Sequence, residues 1–130
     1  DYAAPDILID GCTAVIQLGK GPDRNLAVAY RNRGFGYYLK REWDRAIRDF
    51  DQAIRLKPDY AEAFLIRGVV YLDKKNSDPD RAFQDFDRAV KLKPNFSDAF
   101  HNRGMIYQRK GELDRAIQDF DQAIRFRPNN

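Results

Sequence analysis

The sequence predicts an all-α fold built from stacked antiparallel helix pairs. Three observations predict it. A motif of 34 to 36 residues recurs three times, marked by Gly34, Gly68 and Gly104. Apolar residues inside each copy fall three and four apart, which keeps them on one helical face. A proline (Pro58, Pro94 or Pro128) closes each copy and stops its last helix.

The organisation read from this period is a half unit at 1–26, repeats at 27–60, 61–96 and 97–130, and one domain in total. Residues Leu8 through Leu18 align without gaps on Ala46 through Leu56, with Cys12 in the place of Phe50. This segment reads as a lone second helix packing on the first helix of repeat one, followed by a Gly19-Lys20-Gly21-Pro22 turn. In each full repeat the first helix carries Tyr30, Gly34 and Tyr37, recurring as Phe64, Gly68, Tyr71 and as Phe100, Gly104, Tyr107. The second helix carries Ala46, Phe50 and Ala53, recurring as Ala82, Phe86, Ala89 and as Ala116, Phe120, Ala123. Each glycine is expected to let its paired helix approach closely, with Ala46, Ala82 and Ala116 filling the space. Asn25, Asp59 and Asn95 stand where each first helix needs an N-cap, and Asp78-Pro79 opens the second helix of the middle repeat. The two extra residues of that repeat fall in the polar stretch around Lys74, Lys75, Asn76 and Ser77, which belongs in a surface turn.

Composition narrows the function classes. The chain holds one His (His101), one Cys (Cys12), two Ser (Ser77, Ser97) and one Thr (Thr13) among its 130 residues. A Ser-His or Cys-His nucleophile would depend on His101 alone, and a zinc site lacks ligands. Asp49 and Asp51 face different sides of a helix and make a poor metal pair. Gly19-Lys20-Gly21 lacks the spacing of a phosphate-binding loop. No enzyme activity, cofactor or metal is expected. The net charge of +3 is spread thinly, with only residues 27–60 noticeably basic. Nucleic-acid binding through Arg31, Lys40, Arg41 and Lys74-Lys75 is therefore the weaker alternative. No apolar run reaches the ~20 residues needed to cross a bilayer, so no membrane insertion is expected. The reading is a soluble chain, cytoplasmic or, if a signal peptide was removed, periplasmic; the first residue is Asp, as in a processed or excised chain.

Period, glycine and closing proline together resemble the tetratricopeptide repeat over residues 27–130. The Asn-Arg-Gly and Asp-Phe-Asp-Gln-Ala-Ile strings are similar to bacterial members of that family. The usual tryptophan is Tyr30, Phe64 or Phe100. The usual leucine before the glycine is Arg33, Arg67 or Arg103. The turn glycine kept as Gly111 is Arg41 in the first repeat. The resemblance implies a right-handed superhelical solenoid of about seven helices whose first helices line a concave, partner-binding surface. Three arginines near a core are costly unless paired, so each is expected to pair with Asp49, Asp85 or Asp119, or with an Asp51-type residue of the preceding repeat. The alternative is solvated charge on an outer face.

The same resemblance assigns the inward face to Arg31, Asn32, Phe35 and Tyr38, then Leu65, Ile66 and Val69, then His101, Asn102 and Met105. An apolar middle with polar ends suits an extended peptide or an amphipathic helix. The competing reading is that Phe35, Leu65, Val69 and Met105 are core. A clamp for acidic chaperone tails is disfavoured, because the corresponding positions are Arg31 and Phe35, Ile66, and Asp98 and Asn102. Asn129 stands where a further N-cap belongs. Without a capping helix Ile117, Phe120, Ile124 and Phe126 should leave an apolar face open, through which a homo-oligomer is expected.

Overall fold

A computed structural model describes residues 4–128. Those residues form seven helices and no strand: α1 (Ala4–Leu18), α2 (Asp23–Leu39), α3 (Trp43–Leu56), α4 (Ala61–Asp73), α5 (Pro79–Leu92), α6 (Ser97–Arg109) and α7 (Leu113–Arg125). Helices α2 and α3, α4 and α5, and α6 and α7 pack as hairpins; α3 meets α4, α5 meets α6, and α1 lies on α2. The chain is thus an all-α solenoid of stacked helix pairs. None of these helices is long and apolar enough to cross a membrane.

The second helices earn their burial through one stripe. Ala46, Phe50 and Ala53 in α3, and Ala82, Phe86 and Ala89 in α5, are fully inaccessible. Each buried phenylalanine contributes about 1.5–3 kcal/mol. The cover comes from the next repeat: Val70 of α4 closes over Ala46 and Phe50, and Ile106 of α6 over Ala82 and Phe86. Stability is therefore shared between neighbours.

The glycines of the first helices do face their partners closely, but the nearest occupants are the phenylalanine rings, not the alanines expected. A Cβ on Gly68 would stand 2.6 Å from Phe86 Cε1, and one on Gly34 3.1 Å from Phe50 Cζ. The ring is the largest group on that stripe, so it takes the space a missing side chain leaves.

Capping differs from the reading at three sites. Helix α4 starts after Tyr60 and α6 after Phe96, with no side-chain cap at either. The Lys57 carbonyl accepts from Tyr60 N at 3.1 Å, and the Lys93 carbonyl from Phe96 N at 3.0 Å. Pro58-Asp59 and Pro94-Asn95 thus occupy the middle of tight turns, where a fixed φ and an Asx side chain also fit. The aromatic that follows is wanted in the core and takes the cap position. Asn25 lies inside α2, because Pro22 takes the N-cap three residues earlier and its carbonyl accepts from Asn25 N at 2.9 Å. Asp78 does cap α5, accepting from Arg81 N at 3.1 Å. Asn129 lies outside the described residues.

The arginines are paired. Arg33, Arg67 and Arg103 each donate Nε and Nη2 to both oxygens of Asp49, Asp85 and Asp119 respectively, at 2.7–2.9 Å. The remaining Nη1 crosses to the preceding repeat, reaching Asp51 at 2.8 Å from Arg67 and Asp87 at 3.0 Å from Arg103. Each guanidinium also lies over the aromatic that replaces the family's tryptophan, 5.4–5.6 Å from the ring of Tyr30, Phe64 or Phe100. Burial works against the Arg67 charge, but the two carboxylates outweigh it and hold the group further up. The carboxyl of Asp85 is pushed above its ordinary range by burial, against the pull of Arg67. These charges are internal cross-links and drop out of any basic surface.

Candidate functional site

Three parallel rows of side chains from α2, α4 and α6 make up the candidate surface. At the N-terminal end Arg31 donates from Nη1 to Asn32 Oδ1 at 2.9 Å, while its Nε is buried without an acceptor among the described residues. Phe35 stacks on Tyr38 with centroids 6.1 Å apart, and Tyr38 leans on Trp43 at 5.8 Å. The Tyr38 hydroxyl donates to Asp73 Oδ2 at 2.6 Å, tying the end of α2 to the end of α4. Burial, then this hydrogen bond, pushes the phenol up to about 12. Neither Trp43 nor Asp73 figured in the sequence reading; their meeting with Tyr38 depends on how one repeat is rotated on the next.

The middle row is apolar and half-buried. Ile66 rests on the Ala46–Phe50–Val70 cluster, and Leu65 and Val69 on the Tyr71–Ala82–Phe86–Ile106 cluster. Each therefore serves the core with one side while keeping part of its surface in water. In the third row His101 is exposed with its ring 5.6 Å from Phe120, and Asn102 and Met105 are half-buried. Val28 and Leu39, on the same face of α2, are 43% and 49% exposed. No cluster of three His, Cys, Asp or Glu suited to a metal occurs among the described residues.

The second candidate surface lies on α7. Leu113 and Ile117 are 58% and 57% exposed, and Ile124 is also mostly exposed. Phe120 and Phe126 are only half-buried, the latter stacked on Phe100 at 6.1 Å.

Two family models, both described as tetratricopeptide repeat, match residues 37–95 and 97–130. No curated protein matches the sequence. Among solved structures, the crystal structure of MamA is similar, at a TM-score of 0.81 and 27% identity over 97% of this chain and 70% of that one. The second TPR of Spaghetti (RPAP3), bound to the HSP90 peptide SRMEEVD, has a TM-score of 0.72 and 28% identity over 78% of this chain and 92% of that one. The Arabidopsis OM64 TPR domain shares the fold, at a TM-score of 0.72 and 21% identity over 83% and 88% of the two chains.

Proposed function

Because the chain belongs to the tetratricopeptide repeat family, we propose that it is a non-catalytic scaffold that binds a peptide segment or helix of a partner protein. The observation that carries this reading is the surplus of apolar surface on the first helices. Phe50, Val70, Phe86 and Ile106 already close the core, yet Phe35, Leu65, Ile66 and Val69 remain half-buried above it. Such a row supplies apolar anchors, and Arg31, Asn32, His101 and Asn102 supply polar contacts at either end.

A relative of this chain binds an HSP90 peptide, SRMEEVD. So acidic a tail fits poorly, since only Arg31 among the matching positions is cationic, the others being Phe35, Ile66, Asp98 and Asn102. Nucleic acid fits less well again, because Arg33, Arg67 and Arg103 are neutralised by aspartates.

The test is paired capture from the source cell with the unaltered chain and with Phe35→Asp and Ile66→Asp. A partner retained by the first and lost with both variants, at unchanged helical circular dichroism, supports the groove. Retention by both variants contradicts it. A second reading, self-association through α7, draws on the exposure of Leu113 and Ile117. It predicts a concentration-dependent mass in light scattering that Ile117→Asp reduces to the monomer's, and fails on a monomeric profile at high concentration.

A further inference from the structure

A cleft of about 530 Å³ opens between α2 and α3, lined by Tyr30, Arg33 and Tyr37 of α2 and by Arg45 and Arg48 of α3. Spacings of three and four put its α2 residues on a different helical face from Phe35 and Tyr38, so it is separate from the groove. Both carboxylates in its wall are already engaged. Asp49 holds Arg33 with its two oxygens, and Asp51 accepts from Arg67. Arg45 and Arg48 are not held in this way. Arg45 is mostly exposed; it meets Glu42 at 3.5 Å and lies 5.7 Å from the centre of the Tyr37 ring. Arg48 is exposed, and its side chain pairs with no carboxylate among the described residues.

The internal repeat supplies the comparison. The matching cleft between α4 and α5 sets Arg67 and Arg81 against Asp51 and Asp85, cations balanced by carboxylates. Three positions distinguish the first repeat from the other two. Arg48 stands where they have Gln84 and Gln118. Tyr30 stands where they have Phe64 and Phe100, and it brings a hydroxyl that no protein group engages among the described residues. Thr13 meets Arg33 where Asp51 and Asp87 meet the later arginines, so a carboxylate is missing there. All three differences run in one direction: a cation gained, a donor gained, a negative charge lost. The second and third hairpins pack without any of them, so the fold does not call for them.

We propose that this cleft is a binding site for a phosphate monoester, carried on a partner's side chain or on a small molecule. Arg45 and Arg48, three apart on α3, are neighbours on one helical face and present two guanidinium forks. The Tyr30 and Tyr37 hydroxyls add two donors. That set exceeds what the two oxygens of a carboxylate take up and suits the three terminal oxygens of a monoester dianion. A nucleic-acid backbone fits poorly: it needs a basic track, whereas Asp44, Asp49 and Asp51 flank the arginine pair along α3.

The test is calorimetric titration of the full chain at low ionic strength with three probes: a glycine-rich peptide carrying phosphotyrosine, one carrying phosphoserine, and inorganic phosphate. At least one is expected to bind with a Kd of about 1 mM or tighter. Arg48→Gln is expected to weaken that binding at least about tenfold, and Thr13→Asp about threefold, at unchanged helical circular dichroism. Both variants copy what the later repeats carry, so the hairpin is expected to stay folded. Tighter binding of a phosphopeptide than of inorganic phosphate assigns the ligand to a partner's side chain; the reverse assigns it to a small phosphorylated molecule. The site is overturned if none of the probes binds, or if Arg48→Gln binds as the unaltered chain does. Oligothymidylate bound as tightly as the monoesters would also overturn it, in favour of nucleic acid. Phe35→Asp and Ile66→Asp are expected to leave phosphate binding unchanged, so the groove and this cleft are judged separately.

Discussion

Arg33 donates from Nη1 to Thr13 Oγ1 at 3.3 Å. Arg67 and Arg103 use the same nitrogen to reach Asp51 and Asp87 in the preceding second helix. Thr13 therefore occupies the register position of Asp51, and α1 is tied to the array by the same device as α3 and α5, with the charge removed. Thr13→Asp restores it. The expected gain is about 0.5–1 kcal/mol, since the new carboxylate is partly exposed. A urea midpoint that stays constant or falls would show that α1 sits differently.

Removing the central link has the opposite effect. Arg67→Met leaves Asp85, 4% exposed, without its bidentate partner, and costs about 3–5 kcal/mol at neutral pH. The pH dependence has a definite sign. Asp85 already titrates above 3.8 because of burial, and Arg67 pulls it down. Without Arg67 its folded-state value rises further above the unfolded one. Its contribution is then complete below about 3.8 and is lost as pH rises through the folded value. The variant is thus closest to the unaltered chain near pH 4, and a constant gap from pH 4 to pH 7 would contradict the pairing.

The turn between α2 and α3 holds Arg41 at φ +61°, the sole non-glycine residue with positive φ among those described, where the third repeat has Gly111 at +79°. An L side chain pays about 1 kcal/mol there. Arg41→Gly is expected to stabilise by about 0.5–1 kcal/mol in denaturant titration. A loss would mean that the Arg41 side chain contributes more than its backbone costs.

Close approach makes the glycines unequal. Ala at 68 gains about 1 kcal/mol of helix propensity but pushes a Cβ to 2.6 Å from a fully buried Phe86. Overpacking of that kind costs about 1–3 kcal/mol, so Gly68→Ala destabilises on balance. Gly104→Ala meets Phe120 at 2.9 Å, but that ring is half-exposed and can turn aside. Melting temperatures should rank Gly68→Ala well below Gly104→Ala; the reverse order would contradict the packing.

Tyr38 gives a local test of the link between repeats. Its phenol stays protonated to about 12, above the ordinary value of about 10. The stabilisation from the neutral form is complete below pH 10 and is lost as pH rises through about 12. In NMR of ring-labelled tyrosine, Asp73→Ala is expected to lower the Tyr38 midpoint part of the way, because burial is the larger cause and remains. No shift would mean that the 2.6 Å hydrogen bond is absent in solution.

Helix order and pairing were legible because the signals are local and recur: glycine, alanine and phenylalanine at fixed spacings, with prolines between. The Arg–Asp pairs were legible for the same reason, since both partners return in every repeat. Asp59 and Asn95 misled because N-caps and tight turns favour the same side chains, and the burial of Tyr60 and Phe96 decided between them. Tyr38, Trp43 and Asp73 meet through the rotation between repeats, which no spacing along the chain encodes.

The central claim is that first helices grip a partner polypeptide. Chemical-shift mapping of the full chain, free and with its captured partner segment, tests it most directly. Changes are expected to follow α2, α4 and α6, through Phe35, Ile66 and Asn102. Changes confined to α3, α5 and α7 would contradict it.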